Sequence, residues 1–466
     1  MEGVIESVNP LSNQNFRRLF LAQVIALVGT GLSTVALTLL AYELAAGNAG
    51  AVIGTALAIK MLAYVVFAPI VGGLAHRFAR KPFLIIMDIV RAAVVLSMPF
   101  VSEIWQIFLL IFVLNLFSAG FKPVFAATIP DIVPDERQYT RALSMSRLAY
   151  DLENLLSPLF AGLALLVMTY TGLFVANSIA FLISAALICV TQVPESRKIE
   201  RVGTILDEVS FGLRSYLKTP RLRGLLMLYL AVSAASAMVI VNTVVYIRET
   251  LGGSASDVAM ALAAAGGGSM LAALSLPNIL DKVADRSVML LGAVMMAVGL
   301  SMMSGGPAFA AVLPIWFVIG LGWSLVQTPA GRVVNRSASP ADRPAYFSAQ
   351  FALSHACWLI LYPVAGQLGA RIGIETTALI LAGAILVFAL VAAVAWPKKD
   401  VETLDHVHEM MAHNHLHSHG EHHYHDHDGG EEGEPHTHQH QHPQRVHKHP
   451  FVIDDHHAIW PGSSNP

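Results

Sequence analysis

Charge is scarce in this chain. Asp, Glu, Lys and Arg make up 13% of its 466 residues, where a soluble globular protein carries about 25%. That shortage, with 55% hydrophobic residues and a mean hydropathy of +0.58, excludes an ordinary water-soluble domain. Cysteine is scarcer still. Cys189 and Cys357 are the two in the chain, both in apolar stretches, which excludes a disulfide framework. No GxxxxGK[ST] segment for cradling nucleotide phosphates occurs, so nothing marks a P-loop ATPase. Met-x-x-Met spacing is sparse too, and with the cysteine shortage this argues against a Cu(I) specialist. No secretory leader is expected: the polar Met1 to Asn15 and Arg17-Arg18 precede an apolar stretch too long for one.

What is present falls into two unlike parts. From Pro397 onward there are 4 Lys or Arg against 12 Asp or Glu, while the preceding residues hold 25 against 20. The tail also holds 18 of the 20 histidines. They are His406, His408, His413, His415, His417, His419, His422, His423, His425, His427, His436, His438, His440, His442, His447, His449, His456 and His457. Neutral imidazole is a common ligand of borderline transition metals, so this segment is expected to bind divalent metal. Its low complexity predicts disorder without metal.

A membrane-crossing helix needs about 20 apolar residues. The runs place helices near 19–44, 51–74, 82–101, 105–127, 142–168 and 172–193, then 222–247, 257–280, 287–305, 308–331, 346–370 and 376–396. The expected architecture is an all-α membrane protein of twelve transmembrane helices. Its parts are a six-helix bundle (1–194), a linker (195–221), a second bundle (222–396) and the His-rich tail (397–466). Basic residues recur in alternate loops, which by the positive-inside rule puts both termini, the linker and the tail in the cytoplasm.

The bundles repeat at an offset of 205. Pro158 matches Pro363, His76-Arg77 matches Asp281-Lys282, Arg80-Lys81 matches Asp285-Arg286 and Arg18 matches Arg223. Two parallel six-helix repeats make a central site that rocking exposes to either side.

Ionisable groups inside spans are costly and therefore functional candidates. Asp151 sits four residues after Arg147 and is expected to pair with it. Glu153 has no local cation and is a candidate proton-coupling group. His355 lies mid-helix and is a candidate ligand or packing residue. Asn115, Ser118 and Lys122 form one stripe, and Gln327 stands at the position matching Lys122. Gln23 and Asn154 complete the candidate path. Asp88 and Arg91, three apart, read as an ion pair.

The run Gly72-Gly73-Leu74-Ala75-His76-Arg77-Phe78-Ala79-Arg80-Lys81 resembles the loop motif of the major facilitator superfamily between helices 2 and 3. His76 stands where that family has Asp, and Ala79 where it has Gly. The run Glu153 to Gly162 is similar to the antiporter motif Gly-x-x-x-Gly-Pro, with Glu153 and Ser157 at the two glycine positions. The resemblance implies the major facilitator fold, transport rather than enzymatic chemistry, and a gate involving His76, Arg77, Arg80, Asp281, Asp88 and Arg91. It implies helices 1, 4, 7 and 10 as cavity lining. Body and tail together resemble the NreB-type nickel-resistance exporters of that superfamily.

These readings predict a monomeric exporter in the cell (inner) membrane that exchanges divalent metal (Ni, Co or Zn) for protons. The metal is substrate and tail ligand, with no tightly bound cofactor and no nucleic-acid partner. The alternative expectation is an exporter of an organic solute, a drug or siderophore, with an accessory metal-binding tail.

Overall fold

The computed structural model describes residues 9–44, 49–195, 204–398, 403–408, 411–417, 436–442, 445–453 and 460. Long helices dominate it. The first half holds α1 (Gln14–Leu44), α2 (Ala49–Leu74), α3 (Arg80–Ser97), α4 (Ile104–Ile132), α5 (Glu136–Ala164) and α6 (Tyr170–Cys189). After α7 (Ile205–Lys218), the second half begins with α8 (Pro220–Ala237). That helix continues through two π-helical turns, Met238–Asn242 and Tyr246–Thr250, around the short α9 (Thr243–Val245). Then come α10 (Ala255–Leu280), α11 (Asp285–Met303), α12 (Phe309–Arg336), α13 (Arg343–Ile372) and α14 (Ile374–Ala395).

Helix boundaries follow from local chemistry. Pro220 and Pro344 open α8 and α13, where a missing N–H costs nothing. Ser254 and Asp257 close a capping box at α10. Gly373, at φ 85°, ends α13 in a conformation that only glycine adopts freely.

Among the described residues, eleven helices are long and apolar enough to cross a membrane, against the twelve expected. The difference is α5, a 29-residue helix that carries Arg137, Arg141, Arg147, Asp151 and Glu153 and is not among the eleven by apolarity. Within the expected linker, residues 205–218 form an amphipathic helix with Phe211 and Tyr216 buried. Thr204 caps it, and hydrogen bonds from Thr204 hold the Asp207 carboxyl below its ordinary pKa.

The halves meet where α2 packs on α13 and α5 on α10. At Gly72 an added Cβ would lie 2.2 Å from Ser348 Cβ and 3.0 Å from the Pro344 carbonyl; only a residue without a side chain lets α2 and α13 cross there.

The described residues of the tail include four strands. β1 (Thr403–His408) pairs antiparallel with β4 (Arg445–Pro450), and β2 (Met411–His417) with β3 (His436–His442). The alternation His-x-His-x has the period of a strand, and ladder pairing satisfies its backbone. His419, His422, His423, His425, His427, His456 and His457 lie outside the described residues.

Candidate functional site: a cation-lined cavity and a gate between the halves

The first half encloses a cavity of about 410 Å³. Every residue lining it belongs to the first half. Its walls are mostly apolar, with Gln23, Asn115 and Ser118 adding neutral polar groups. Three cations, Lys60, Arg91 and Lys122, line it, and among the described residues no Asp or Glu does. Arg91 is balanced by Asp88, which also accepts from Ser184 Oγ at 2.8 Å. The Arg91 guanidinium lies between Phe121 and Phe181, 4.0 and 4.5 Å from their ring centroids. Lys122 Nζ donates to Tyr64 Oη at 3.1 Å. Lys60, four residues before Tyr64, holds its Nζ 5.9 Å from the same ring. Two lysines therefore flank one tyrosine at the cavity wall.

Glu153 does not line this cavity, although the charges of Lys122 and Lys60 at its wall reach it. It belongs to an apolar groove between α1 and α5, beside Val24, Leu27 and Phe160. Gly31 makes the close approach possible: an added Cβ there would meet Ser157 Oγ at 1.8 Å and Glu153 Oε1 at 3.4 Å. Among the described residues Glu153 has no ion-pair partner. The side chain of Asn154 lies outside the described residues.

Asp151 pairs with Arg147 at 2.8 Å, and the pair also reaches the other half. Ser269 Oγ of α10 donates to Asp151 at 2.6 Å, Arg147 donates to Ser269 at 3.0 Å, and Arg147 Nη1 donates to Gln327 Oε1 of α12 at 2.8 Å. Gln23 ties α1 to α5 by accepting from Ser146 at 3.0 Å.

His355 is boxed by rings. Tyr64, Phe351 and Trp358 lie 4.8, 4.2 and 5.1 Å from its centroid, and its Nδ1 is 2.7 Å from the Phe351 carbonyl. The box gives His355 packing contacts where α2 meets α13. Among the described residues, no three His, Cys, Asp or Glu groups gather as a metal site.

At the end of the bundle where the basic loops gather, ion pairs join the halves. Asp131, at the end of α4, accepts from both Arg80 and Arg343. Arg332 of α12 meets Glu136 at 2.6 Å and also donates to Thr140. Arg137 stands 3.6 Å from Asp281. Asp285 pairs with Arg336 and Arg332. The pair Arg80–Asp131 recurs as Asp285–Arg336 at the 205-residue offset with its charges exchanged. The loop motif grips α7: Arg77 meets Glu208 at 2.8 Å and His76 lies 3.6 Å from it. Asp88 and Arg91 pair with one another and join α3 to α6 within the first half, where Ser184 and the flanking rings Phe121 and Phe181 also lie.

Sequence reading missed Asp131, Glu208, Ser269, Tyr64, Arg332 and Arg343 as partners. Each lies far in sequence from the group it meets, 212 residues for Asp131 and Arg343. Asp131 had a weak signal, a carboxylate one residue past Pro130 at a helix end.

The arrangement is that of a helical membrane transporter: two bundles, a cavity in one, and ion pairs that close one end. The family model of the Major Facilitator Superfamily matches residues 19–274 and 225–418, and the chain belongs to that superfamily. It is 25% identical over 297 residues to the MFS-type transporter YfiS of Bacillus subtilis (strain 168), covering 60% of this chain and 69% of that one. It is 26% identical over 149 residues to macrolide efflux protein A of Streptococcus pyogenes, covering 31% of this chain and 36% of that one. The human organic anion transporter MFSD10 (TETRAN) superposes with a TM-score of 0.71 at 11% identity, over 81% of this chain and 99% of that one. The Escherichia coli fucose:proton symporter FucP superposes with a TM-score of 0.63 at 14% identity, over 82% and 98%. These two likenesses concern the fold alone.

Proposed function

We propose that the chain is a secondary exporter of an organic solute carrying negative charge, working by alternating access with its basic end in the cytoplasm. The observation that carries this is the cavity wall: apolar and aromatic surface, Lys60 and Lys122 beside Tyr64, and no carboxylate. Such a wall attracts an anion and repels a dication, because charges act more strongly where water is sparse. α5 serves as the twelfth span, its charges turned to neighbouring helices rather than to lipid. With the halves joined at the basic end, the described arrangement is outward-facing.

Energetics agree with the anion. Moving one charge across 100 mV involves about 2.3 kcal/mol. An anion leaving an inside-negative cell is helped by that amount per charge, whereas a divalent cation is opposed by roughly twice it. Glu153, in its apolar groove, is the proposed proton carrier. The name of the macrolide efflux relative supports outward movement of organic molecules.

A second reading, export of nickel, cobalt or zinc, draws its support from the tail, where His413, His415 and His417 face His440, His438 and His436 in register. We propose that the tail gathers divalent metal. A tail-deleted protein (residues 397–466 removed) in proteoliposomes separates the readings. Export of a carboxylated fluorescent amphiphile without nickel flux supports the organic anion, and nickel flux without amphiphile flux overturns it.

A further inference from the structure

Tyr64 touches both the cavity and the seam between the halves. It stands on α2 and is 2% exposed. On one side its Oη accepts from Lys122 Nζ at 3.1 Å, and that ammonium lies 5.0 Å from the ring centroid, inside cation–π range. On the other side its ring meets two rings of α13. Phe351 lies 4.9 Å away, and His355 lies 4.8 Å away at an interplanar angle of 86°, the edge-on arrangement that aromatic rings favour. Ala68 of α2 and Ala352 of α13 belong to the same buried cluster. His355 in turn meets Trp358 at 5.1 Å, whose Nε1 donates to Ser236 Oγ of α8 at 3.0 Å. A chain of side chains thus runs from the cavity wall into the second half.

The partners of Tyr64 differ in which half they belong to. Lys122 is on α4, in the same half as Tyr64, while Phe351 and His355 are on α13. When the halves part, Lys122 travels with Tyr64 and the two rings of α13 leave it. A buried side chain that loses such contacts regains rotamer freedom, and its hydroxyl is then no longer fixed on Lys122. An ammonium has three N–H donors. In the described arrangement one of them is given to Tyr64. A carboxylate in the cavity competes for that same head group, and it competes best when the tyrosine is free to turn away.

We infer that Tyr64 is a positioning residue that sets the cavity's affinity for its anion: clamped by Phe351 and His355 it holds Lys122 and weakens cargo binding, and unclamped it frees Lys122 for the cargo. The inference rests on the anionic cargo proposed above and adds how that one site changes strength between its two faces. The direction suits export. The cavity grips the anion while the basic end is open and releases it once α13 has closed on α2. The coupling is reciprocal: cargo held by Lys122 disfavours the closed seam by the same factor, so closure and release go together.

The test uses the full chain in nanodiscs and two fluorescent amphiphiles, a carboxylate and its neutral amide, with binding read by fluorescence anisotropy. Tyr64→Phe keeps the ring between Phe351 and His355 and removes the acceptor for Lys122. It should tighten carboxylate binding roughly five- to tenfold and leave amide binding unchanged. Phe351→Ala, which loosens the clamp from the other half, should do the same, and should Tyr64→Phe not fold, Phe351→Ala alone decides. Asp131→Asn, which removes the partner of Arg343 across the halves, should tighten carboxylate binding by itself and add little to Tyr64→Phe. Unchanged or weaker carboxylate binding in Tyr64→Phe overturns the inference; a preference for carboxylate over amide in that variant leaves the anionic cargo standing. No carboxylate preference in wild-type protein, Asp131→Asn or Tyr64→Phe overturns both. A gain in Tyr64→Phe that Phe351→Ala does not share overturns the clamp, and gains of Tyr64→Phe and Asp131→Asn that add in full overturn the link to the seam.

Discussion

Replacing Asp131 with asparagine is expected to open the basic end. The Asp131 carboxylate accepts from Arg80, within the first half, and from Arg343, across the interface. The three side chains are 15%, 2% and 16% exposed, so little water compensates for a lost charge. Asparagine keeps the size but leaves two guanidinium groups facing one another. Removing one partner of a buried pair costs about 3–5 kcal/mol. Because one of the two contacts is internal to the first half, roughly 2 kcal/mol bears on the closed state, a shift of about thirtyfold in the closed-to-open ratio. The assay is labelling of single cysteines in a protein with Cys189 and Cys357 replaced. Thr34→Cys reports the far mouth of the cavity and Ser144→Cys reports the basic end. Asp131→Asn should slow the first and speed the second. Unchanged rates at both, or faster labelling at Thr34→Cys, would refute the claim that this ion pair holds the basic end shut.

Other outcomes follow from neighbouring contacts. Ser269→Ala removes one donor to the buried Asp151 carboxylate and an acceptor for Arg147 and should cost about 1–3 kcal/mol, seen as faster labelling at Ser144→Cys and a lower thermal midpoint. Glu153→Gln should leave the protein folded and flatten the pH dependence of export; an unchanged pH profile would remove Glu153 from proton coupling. His355→Phe keeps the aromatic packing and should cost less than about 1.5 kcal/mol, with transport retained. Loss of transport in a well-folded His355→Phe protein would restore a ligand role for His355.

Much of the fold was legible because membrane spans obey a length and polarity rule. The apolar runs fell close to the observed helices, and the 205-residue repeat reappears as Arg80–Asp131 and Asp285–Arg336. α5 blurred the count because it carries charge, and that Arg147 and Asp151 are turned toward other helices is something no local window detects. The Arg147–Asp151 pair was readable from i,i+4 spacing; its extension to Ser269 and Gln327 was not, since those groups meet only after the halves pack. His355 could be read as ligand or packing residue, and the rings around it were not legible because Tyr64 comes from a distant helix. The Lys122 stripe was visible, but its partner Tyr64 is 58 residues away. In the tail, composition pointed to disorder, yet the period-2 spacing of its histidines matched the strands that pair.

The central claim is that Lys60 and Lys122 select a negatively charged organic solute. It is tested most directly by measuring efflux from proteoliposomes of two probes that differ only in a carboxylate against its neutral amide. Wild-type protein should export the carboxylate faster, and Lys60→Met with Lys122→Met should lower that rate roughly ten- to a hundredfold, the loss of charged hydrogen bonds worth about 1.5–3 kcal/mol, while sparing the amide. Equal rates for both probes in wild-type protein, or a double variant that keeps its carboxylate preference, would contradict it.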